Sequence, residues 1–294
     1  MIYQIENLEC KYKTGKFPVL LVNNLQINKG EIVCFLGASG VGKSTILETL
    51  GLMNNTICPN NRSYFSFEMD TEKVNMLKIW RKKESKLAKF RNKHLSFIFQ
   101  STNLFPTLNA LDNVLVAPLL QNESEIEARN HVRPIFKRLF PVKYNEMLSG
   151  KKISEMSGGQ RQRLAFVRAI ASDYDVLLAD EPTGNLDYAN ANNLMNFLVS
   201  DIREKNATAI IVSHDINLAI QHADKIVFMD KKYNSDSDYH YGLISNVNTY
   251  VREKNKKNWC NLIKYDNAKP PKISGEELSS YFKEEIVKQN TQHA

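Results

Sequence analysis

Residues 37–45 read GASGVGKST, which fits the pattern G-x-x-x-x-G-K-S of a phosphate-binding P-loop. The apolar run EIVCFL at residues 31–36 predicts a buried parallel strand before this loop, and ILETL at residues 46–50 predicts a helix after it. In that context the N–H groups of the loop and the helix N-terminus converge on an anion. The sequence therefore predicts a nucleotide phosphate site formed by Gly37, Ser39, Gly40, Gly42, Lys43, Ser44 and Thr45.

Two side chains of this loop and two acidic residues further along supply the chemistry that such a site needs. Lys43 would place a positive charge near the β- and γ-phosphates, and the Ser44 hydroxyl would ligate Mg²⁺. Asp180 and Glu181 follow the apolar run VLLA at residues 176–179. There, one carboxylate can hold Mg²⁺ and the other can polarise an attacking water. An Asp-Glu pair alone is often only a solvated pair, but this one follows a P-loop in the same chain.

Predicted strands alternate with predicted helices through most of the chain, which favours a mostly parallel sheet with crossover helices. The strands are predicted at residues 95–99, 175–179, 207–212 and 226–229, and the helices at 110–120, 123–140, 160–171, 190–204 and 216–222. Polar clusters follow the carboxyl ends of these strands, where open α/β sheets place ligands.

The two ends of the chain and two internal segments have a different character. Residues 1–35 predict short strands joined by turns, and residues 231–241 predict an inserted hairpin. Residues 70–92 look largely helical, with Asp70 as a candidate cap. After residue 246 we predict no apolar strand, but Ser274 and Glu277 form a capping box that would open a final short helix.

Composition limits the class of protein. The 294 residues are 43% hydrophobic, which is ordinary for a globular protein, and no apolar run approaches the length of a membrane span. Glu6 precedes any apolar segment of the kind that opens a secretory signal. We therefore expect a protein that is neither integral to a membrane nor secreted. The four cysteines lack C-x-x-C spacing and look like reduced thiols.

The net charge of +7 is concentrated in one segment. Residues 78–93 hold eight Lys or Arg and one Glu, a local excess equal to the charge of the whole chain. Such a segment can meet nucleic acid, an anionic membrane surface or an acidic partner. A solvated helix face explains it equally well, so the two interpretations stay open.

Several motifs in order give the chain a family resemblance. After the P-loop come Gln100 and a Ser-Gly-Gly-Gln run at residues 157–160, which caps an arginine-rich helix and offers a second anion site. Asp180 with Glu181, an Asn-Leu-Asp run at 185–187 and His214 follow. Residues 1–230 thereby resemble the nucleotide-binding subunit of an ATP-binding cassette (ABC) ATPase, with Met156 where leucine is usual.

The resemblance implies a role for each matching residue. Gln100 would be the Q-loop residue that senses the γ-phosphate or Mg²⁺, and His214 the switch histidine that contacts the γ-phosphate. Glu181 would be the general base, while Asp180, Ser44 and Gln100 would hold the metal. Tyr12 sits where the family places the aromatic that stacks on adenine. The nucleotide would also contact the signature and D-loop residues, which are Ser157, Gly158, Gly159, Gln160 and Asp187.

The family also implies a fold. It is an α/β P-loop NTPase of ABC type, with a mostly parallel central sheet, an antiparallel β subdomain and a helical subdomain at about residues 101–170. On this basis we assign residues 1–245 to the nucleotide-binding domain and residues 246–294 to a C-terminal extension of unknown role. Residues 91–100, 103–114 and 179–187 further resemble the lipoprotein-release, macrolide-export and cell-division ATPases.

The implied function is hydrolysis of Mg-ATP by two copies of the chain, which sandwich two ATP molecules head to tail. The implied partner is a transmembrane subunit, which ATP-driven closure of the dimer would power to export or extract a substrate. This partner would place the chain on the cytoplasmic face of the cell membrane. Two alternatives are transmission of force or a signal to an envelope partner and a regulatory module without turnover. A soluble ABC ATPase acting on nucleic acid or ribosomes is disfavoured, because the chain has one cassette and no long heptad insertion.

Overall fold

The structure is a computed structural model that describes residues 1–68, 72–184, 186–253, 258–262 and 272–291. Its strands are β1 (Tyr3–Cys10), β2 (Leu20–Ile27), β3 (Ile32–Leu36), β4 (Ile57–Cys58), β5 (Tyr64–Glu68), β6 (Lys73–Asn75), β7 (Leu95–Ile98), β8 (Val176–Asp180), β9 (Thr208–Val212), β10 (Lys225–Phe228), β11 (Asp230–Asn234), β12 (Tyr239–Ile244), β13 (Thr249–Arg252), β14 (Asn258–Asn261) and β15 (Ile273–Ser274). Its helices are α1 (Lys43–Leu50), α2 (Met76–Trp80), α3 (Glu84–His94), α4 (Ala110–Leu120), α5 (Glu125–Leu139), α6 (Tyr144–Leu148), α7 (Gly158–Ile170), α8 (Tyr188–Glu204), α9 (Ile216–His222) and α10 (Gly275–Thr291).

The central sheet is mostly parallel, as the sequence predicts. Within the described residues its strand order is β15-β14-β13-β10-β3-β9-β8-β7, and the five strands from β10 to β7 pair in parallel. Strands β3 and β9 are buried along their whole length. Parallel strands covered on both faces need such continuous apolar runs, which explains the unbroken VCFL and AIIV segments.

A second sheet, mostly antiparallel, lies across helix α1 from the first. Its order in the described chain is β11-β12-β2-β1-β5-β6, with β4 paired to β1. The predicted hairpin is confirmed as β11 and β12, and β12 continues the sheet by pairing in parallel with β2. Ile46 and Leu50 of α1 pack in one apolar cluster with residues of both sheets, so the P-loop helix is fixed between them.

Helices α4 to α7 form the predicted helix-rich segment. Helix α4 has the predicted bounds, and α5 and α7 each begin with a capping box, at Ser124 and Ser157. The side chain of each serine accepts a hydrogen bond from a backbone N–H of the first turn, which satisfies a donor that the helix itself cannot pair. These helices pack on the other face of the central sheet, where α8 and α10 complete the larger apolar cluster.

The two irregular segments have different outcomes. Residues 73–94 are largely helical as predicted, with the helices α2 and α3 after the short strand β6, and the candidate cap Asp70 lies outside the described residues. The prediction of no apolar strand after residue 246 was wrong, because this segment contains β13, β14 and β15, which extend the central sheet in antiparallel fashion from β10. These strands are two to four residues long, too short for a recognisable alternation of apolar and polar residues.

The final helix packs on the extended sheet. The predicted capping box is confirmed, because the Glu277 amide donates to Ser274 Oγ and the Ser274 amide donates to the Glu277 carboxylate. Trp259, Leu278 and Phe282 are fully or almost fully buried. In the described part of the chain, no helix combines the length and apolar character needed to cross a bilayer.

Candidate nucleotide site

The P-loop joins the end of β3 to the start of α1. Gly40 and Gly42 have φ values of 74° and 97°, a left-handed backbone that glycine adopts without steric cost. The Lys43 ammonium donates hydrogen bonds to the carbonyl oxygens of Gly37 and Ala38, both at 2.9 Å. Burial lowers the pKa of Lys43, and the nearby carboxylates of Glu181 and Asp180 oppose this shift. The loop therefore presents a buried cation beside its backbone N–H groups.

The two acidic residues lie beside this loop at the end of β8. Burial raises the pKa of Asp180, while a hydrogen bond from the Ser44 hydroxyl opposes the rise. Two oxygen donors are thus adjacent, which fits Mg²⁺, a cation that binds few protein oxygens and takes the rest from phosphates and water. The described residues hold no cluster of three or more His, Cys, Asp and Glu able to cage a metal.

Glu181 has a strained backbone at the centre of the site. Its φ of 45° lies in the left-handed region, where residues other than glycine are uncommon. Its amide donates to the Val212 carbonyl at 2.9 Å, which anchors this turn to the end of β9. The turn aims the Glu181 side chain at the residues that follow the neighbouring strands.

Three polar side chains that follow three adjacent strands meet here. Gln100 comes after β7, Glu181 after β8 and His214 after β9, and these strands are neighbours in the sheet. Gln100 Nε2 donates to Glu181 Oε2 at 2.9 Å, and His214 Nε2 lies 2.7 Å from Glu181 Oε1. Both oxygens of the Glu181 carboxylate are therefore engaged, which holds the side chain at the carboxyl edge of the sheet.

A cavity of about 320 Å³ brings most of the predicted residues together. It is lined by Tyr12, Val19, Ser39, Gly40, Gly42, Lys43, Ser44, Thr45, Glu181 and His214. The Tyr12 hydroxyl lies 3.2 Å from Thr45 Oγ1, and the Tyr12 side chain is 40% exposed. Its ring is therefore fixed at one end and accessible to a planar ligand.

The signature and D-loop residues lie elsewhere. Among the described residues that line this cavity there is none from 157–160, and Asp187 is also outside it. Instead, Ser157 and Gln160 close a capping box on α7, and Asp187 caps α8 by accepting from the Asn190 amide at 3.0 Å. That backbone hydrogen bond lowers the pKa of Asp187. Asn185, the first residue of the predicted D-loop, is outside the described residues.

A second cavity, of about 460 Å³, adjoins the first and shares Glu181 and His214 with it. Lys283 of α10 reaches its wall, as does Asp215, which caps α9 by accepting from the Leu218 amide. The sequence gives no signal for Lys283, because its position depends on how α10 packs against α9. The Ser-His-Asp run at 213–215 does indicate Asp215, since aspartate is a preferred helix cap.

Comparison with known proteins identifies the fold and its family. Residues 21–184 match the family model described as ABC transporter. The chain belongs to this family. It is 38% identical over 212 residues to the macrolide export ATP-binding/permease protein MacB of Shewanella sp. (strain ANA-3), which covers 72% of this chain. The match spans only 30% of the length of MacB.

Other ABC relatives match over nearly their full length. The uncharacterized ABC transporter ATP-binding protein YbbA of Escherichia coli K12 is 34% identical over 74% of this chain and 90% of YbbA. The lipoprotein-releasing system ATP-binding protein LolD of Zymomonas mobilis (strain ATCC 10988) is 31% identical over 77% of this chain and 91% of LolD. These names confirm the predicted resemblance to the macrolide-export and lipoprotein-release proteins.

A solved structure confirms the ABC type of fold. The dimeric, post-hydrolysis structure of the ATP-binding cassette MJ0796 bound to ADP and Pi matches with a TM-score of 0.64 and 31% identity. The match covers 77% of this chain and 94% of that one. MJ0796 comes from Methanocaldococcus jannaschii. Membership of this family makes the chain an ABC cassette.

Proposed function

We propose that this chain is the ATP-hydrolysing subunit of a membrane ABC complex and that it works on Mg-ATP. The observation that carries the proposal is the Glu181 carboxylate, which Gln100 and His214 hold at the mouth of the P-loop cavity. A carboxylate fixed next to a phosphate cradle that also contains a buried ammonium is the arrangement that water attack on a γ-phosphate requires.

The proposed reaction gives a part to several residues that line the cavity and to Asp180 next to Glu181. Tyr12 stacks on the base, and the P-loop amides with Lys43 bind the β- and γ-phosphates. Asp180 and Ser44 would hold Mg²⁺, which when bound neutralises charge on the phosphates. Glu181 accepts a proton from the attacking water, and His214 donates a hydrogen bond toward the γ-phosphate once it leaves Glu181.

The signature loop would act on the nucleotide of a second copy. Ser157, Gly158 and Gly159 lie outside the cavity of their own chain, yet they open a helix whose N-terminus suits an anion. A Cβ at Gly158 would meet nothing within 4 Å, so the backbone there is open to a ligand. Two copies arranged head to tail would each close the other's site, and closure would depend on the γ-phosphate.

Substitution of Glu181 tests the enzymatic part of the proposal. Glu181→Gln keeps the size of the side chain but cannot accept the proton, so turnover should fall about 100- to 10,000-fold while ATP affinity stays close to that of the wild type. With Mg-ATP this variant should accumulate as a dimer in size-exclusion chromatography. Lys43→Ala is the matched control, because it should weaken ATP binding itself. Undiminished turnover in Glu181→Gln would refute the assignment.

A groove beside Gln100 is the proposed site for the membrane subunit. A cavity of about 450 Å³ is lined by aromatic and aliphatic side chains that include Phe99, Phe105 and Leu120. Phe105 and Leu120 are 48% and 64% exposed. Arg168 also lines it and donates to the carbonyl oxygens of residues 102 and 103, directly after Gln100. An apolar helix of a membrane subunit that fills this groove would therefore contact the segment after Gln100. The Gln100 side chain in turn donates to the Glu181 carboxylate, the proposed catalytic base.

A pull-down tests this partner. Tagged Glu181→Gln chain with Mg-ATP should retain from detergent-solubilised membranes a stoichiometric polypeptide with several membrane spans. Phe105→Ser should reduce that retention without changing ATP affinity. Recovery of ribosomes or nucleic acid instead would favour the soluble alternative. A membrane partner would place the chain on the cytoplasmic face of the membrane as a peripheral protein.

The basic segment is a further proposed contact, with an anionic membrane surface. Arg91 lies in this segment but is left out of the proposed contact, because its guanidinium is half-buried and donates to Glu84 and to the Leu52 carbonyl. The remaining cations on and around α2 and α3 are exposed: Lys78, Arg81, Lys82, Lys83, Lys86, Lys89 and Lys93. Each cation near an anionic surface contributes about 1 kcal/mol to binding.

Charge reversal tests the membrane contact. Lys82, Lys83 and Lys86 changed together to Glu should abolish sedimentation with vesicles that contain phosphatidylserine, and added salt should do the same to the wild type. Vesicles of phosphatidylcholine alone are the control. If the reversed variant sediments like the wild type, the segment is only a solvated face.

The division of the chain also remains a proposal. We propose that residues 1–245 form the nucleotide-binding unit and that residues 246–294 are an extension. The support is that the relatives cited above match 212 to 230 of the 294 residues.

A further inference from the structure

The hairpin of β11 and β12 (residues 230–244) reaches both ends of the nucleotide cavity. Its strand β12 pairs with β2, and the Gly242 amide donates to the Val19 carbonyl at 2.9 Å. Val19 itself lines the cavity. The hairpin is therefore directly joined to the wall of the nucleotide site.

At the end of the cavity where the nucleotide base would stack on Tyr12, the hairpin packs against the loop that contains Tyr12. The loop of residues 11–19 joins β1 to β2 and contains both Tyr12 and Phe17. Phe17 stacks on Tyr239 of β12, with ring centroids 4.3 Å apart and an angle of 4° between the planes. Both rings are half-buried. Tyr239 thus packs against the loop five residues away from the side chain that faces the base.

At the phosphate end, Gly242 lies against the P-loop. A Cβ at this position would lie far inside van der Waals contact with the Val41 carbonyl oxygen, which is backbone and cannot rotate away. The backbone at Gly242 does not have positive φ, so glycine is needed for space and not for conformation. Val41 stands between Gly40 and Gly42, and any shift of its carbonyl would move the amides that cradle the phosphates.

We propose that Tyr239 and Gly242 are positioning residues for the nucleotide, Tyr239 for the base through the Tyr12 loop and Gly242 for the phosphates through the P-loop. This inference rests on the proposed function, because it assumes a nucleotide in this cavity. It assigns the 230–244 hairpin a role in setting nucleotide affinity, and it predicts that the two ends of the ligand respond to different substitutions.

Two ligands separate the two roles. ATP has a base and inorganic tripolyphosphate has none, and the dissociation constant of each is measured by displacement of a fluorescent ATP analogue. Tyr239→Ala should weaken ATP about three- to tenfold, the worth of one stacked aromatic pair, and leave tripolyphosphate within about twofold. Tyr239→Phe should restore ATP affinity, since it keeps the ring.

Gly242→Ala should weaken both ligands, on the order of five- to a hundredfold, because overpacking at this contact displaces the P-loop. Gly275→Ala is the matched control. Its Cβ would also make a close contact, 2.9 Å from the Cγ2 methyl of Ile220, but this contact lies on α10 and does not involve the P-loop. It should leave both dissociation constants unchanged.

The outcomes are distinguishable. The proposal is supported if Tyr239→Ala lowers the affinity for ATP but not for tripolyphosphate and if Tyr239→Phe restores the affinity for ATP. Unchanged ATP affinity, or equal loss for both ligands in Tyr239→Ala, overturns it while the proposed ATPase stands. Unchanged affinity for both ligands in a folded Gly242→Ala overturns the role of Gly242, and Tyr239→Ala decides the role of the hairpin at the base even where Gly242→Ala fails to fold. A wild-type chain that binds no ATP would overturn both the inference and the proposed function.

Discussion

Phe282→Ala tests whether the C-terminal helix is part of the main core. Phe282 is fully buried, and its ring stacks on Phe228 of β10 with centroids 5.0 Å apart and planes within 3°. It also meets the Tyr250 ring of β13 edge-on at 5.3 Å. Helix α10 is tied to the rest of the chain by hydrogen bonds as well, one of them from Ser279 Oγ to Asn217 Oδ1.

The size of the effect follows from these contacts. Truncation of a fully buried phenylalanine to alanine costs about 3–5 kcal/mol, which combines the lost burial with the cavity that remains. The Phe282 site should fall in the upper part of that range, because two aromatic pairs are lost together. Against a total stability of about 5–15 kcal/mol, such a loss is large.

The assay is urea unfolding followed by two signals. Fluorescence reports Trp259 next to α10, together with Trp80 in α2, and circular dichroism reports the helices of the whole chain. The two transitions should coincide and shift together in Phe282→Ala. Val287→Ala on the same helix is the control, since Val287 is 60% exposed and its truncation should cost less than about 0.5 kcal/mol. A cost below about 1 kcal/mol for Phe282→Ala would refute the reasoning.

Two further predictions concern buried polar pairs. Tyr174→Phe removes the hydrogen bond of 2.7 Å from the Tyr174 hydroxyl to the buried Asp201 carboxylate. It should lower the free energy of unfolding, measured in urea, by about 1.5–3 kcal/mol. An unchanged free energy of unfolding would contradict this prediction. Glu31→Gln strips the buried Lys225 ammonium of its carboxylate partner at 2.7 Å and should cost about 3 kcal/mol at neutral pH. Burial is the largest influence and raises the pKa of Glu31, but the Lys225 charge together with hydrogen bonds from Lys225 and Asn28 outweighs it, so the pKa is below its usual 4.5. The difference from wild type should therefore hold above pH 4.5 and shrink as pH falls through the lowered pKa, and a constant difference would contradict the pairing.

Local signals in the sequence predicted the regular elements well. Helix α4 has the bounds expected from its apolar pattern, and both the final capping box and the 230–244 hairpin are confirmed. Caps and turns depend on hydrogen bonds between residues three or four apart, so the chain needs no distant contact to specify them.

The strands of the C-terminal extension could not be predicted in the same way. The run Asn258–Asn261 has two buried apolar residues between two asparagines, a pattern that also occurs in turns. These residues form a strand because β13 and β15 supply the hydrogen bonds and α10 covers the side chains. Such pairing joins segments far apart in sequence and leaves no period in a short run.

For the site, the sequence by itself determined the chemistry. The P-loop, the carboxylates after β8 and the capped helix at Ser157 are each encoded within a few residues, because a phosphate cradle or a helix N-terminus is made from consecutive backbone groups. The tertiary structure alone decided which of them meet. Glu181 contacts Gln100 and His214 because β7, β8 and β9 are neighbours, while the residues at 157–160 are kept out of their own chain's cavity. Strand order and helix docking arise from burial of apolar surface across the whole chain, which no short stretch of sequence specifies.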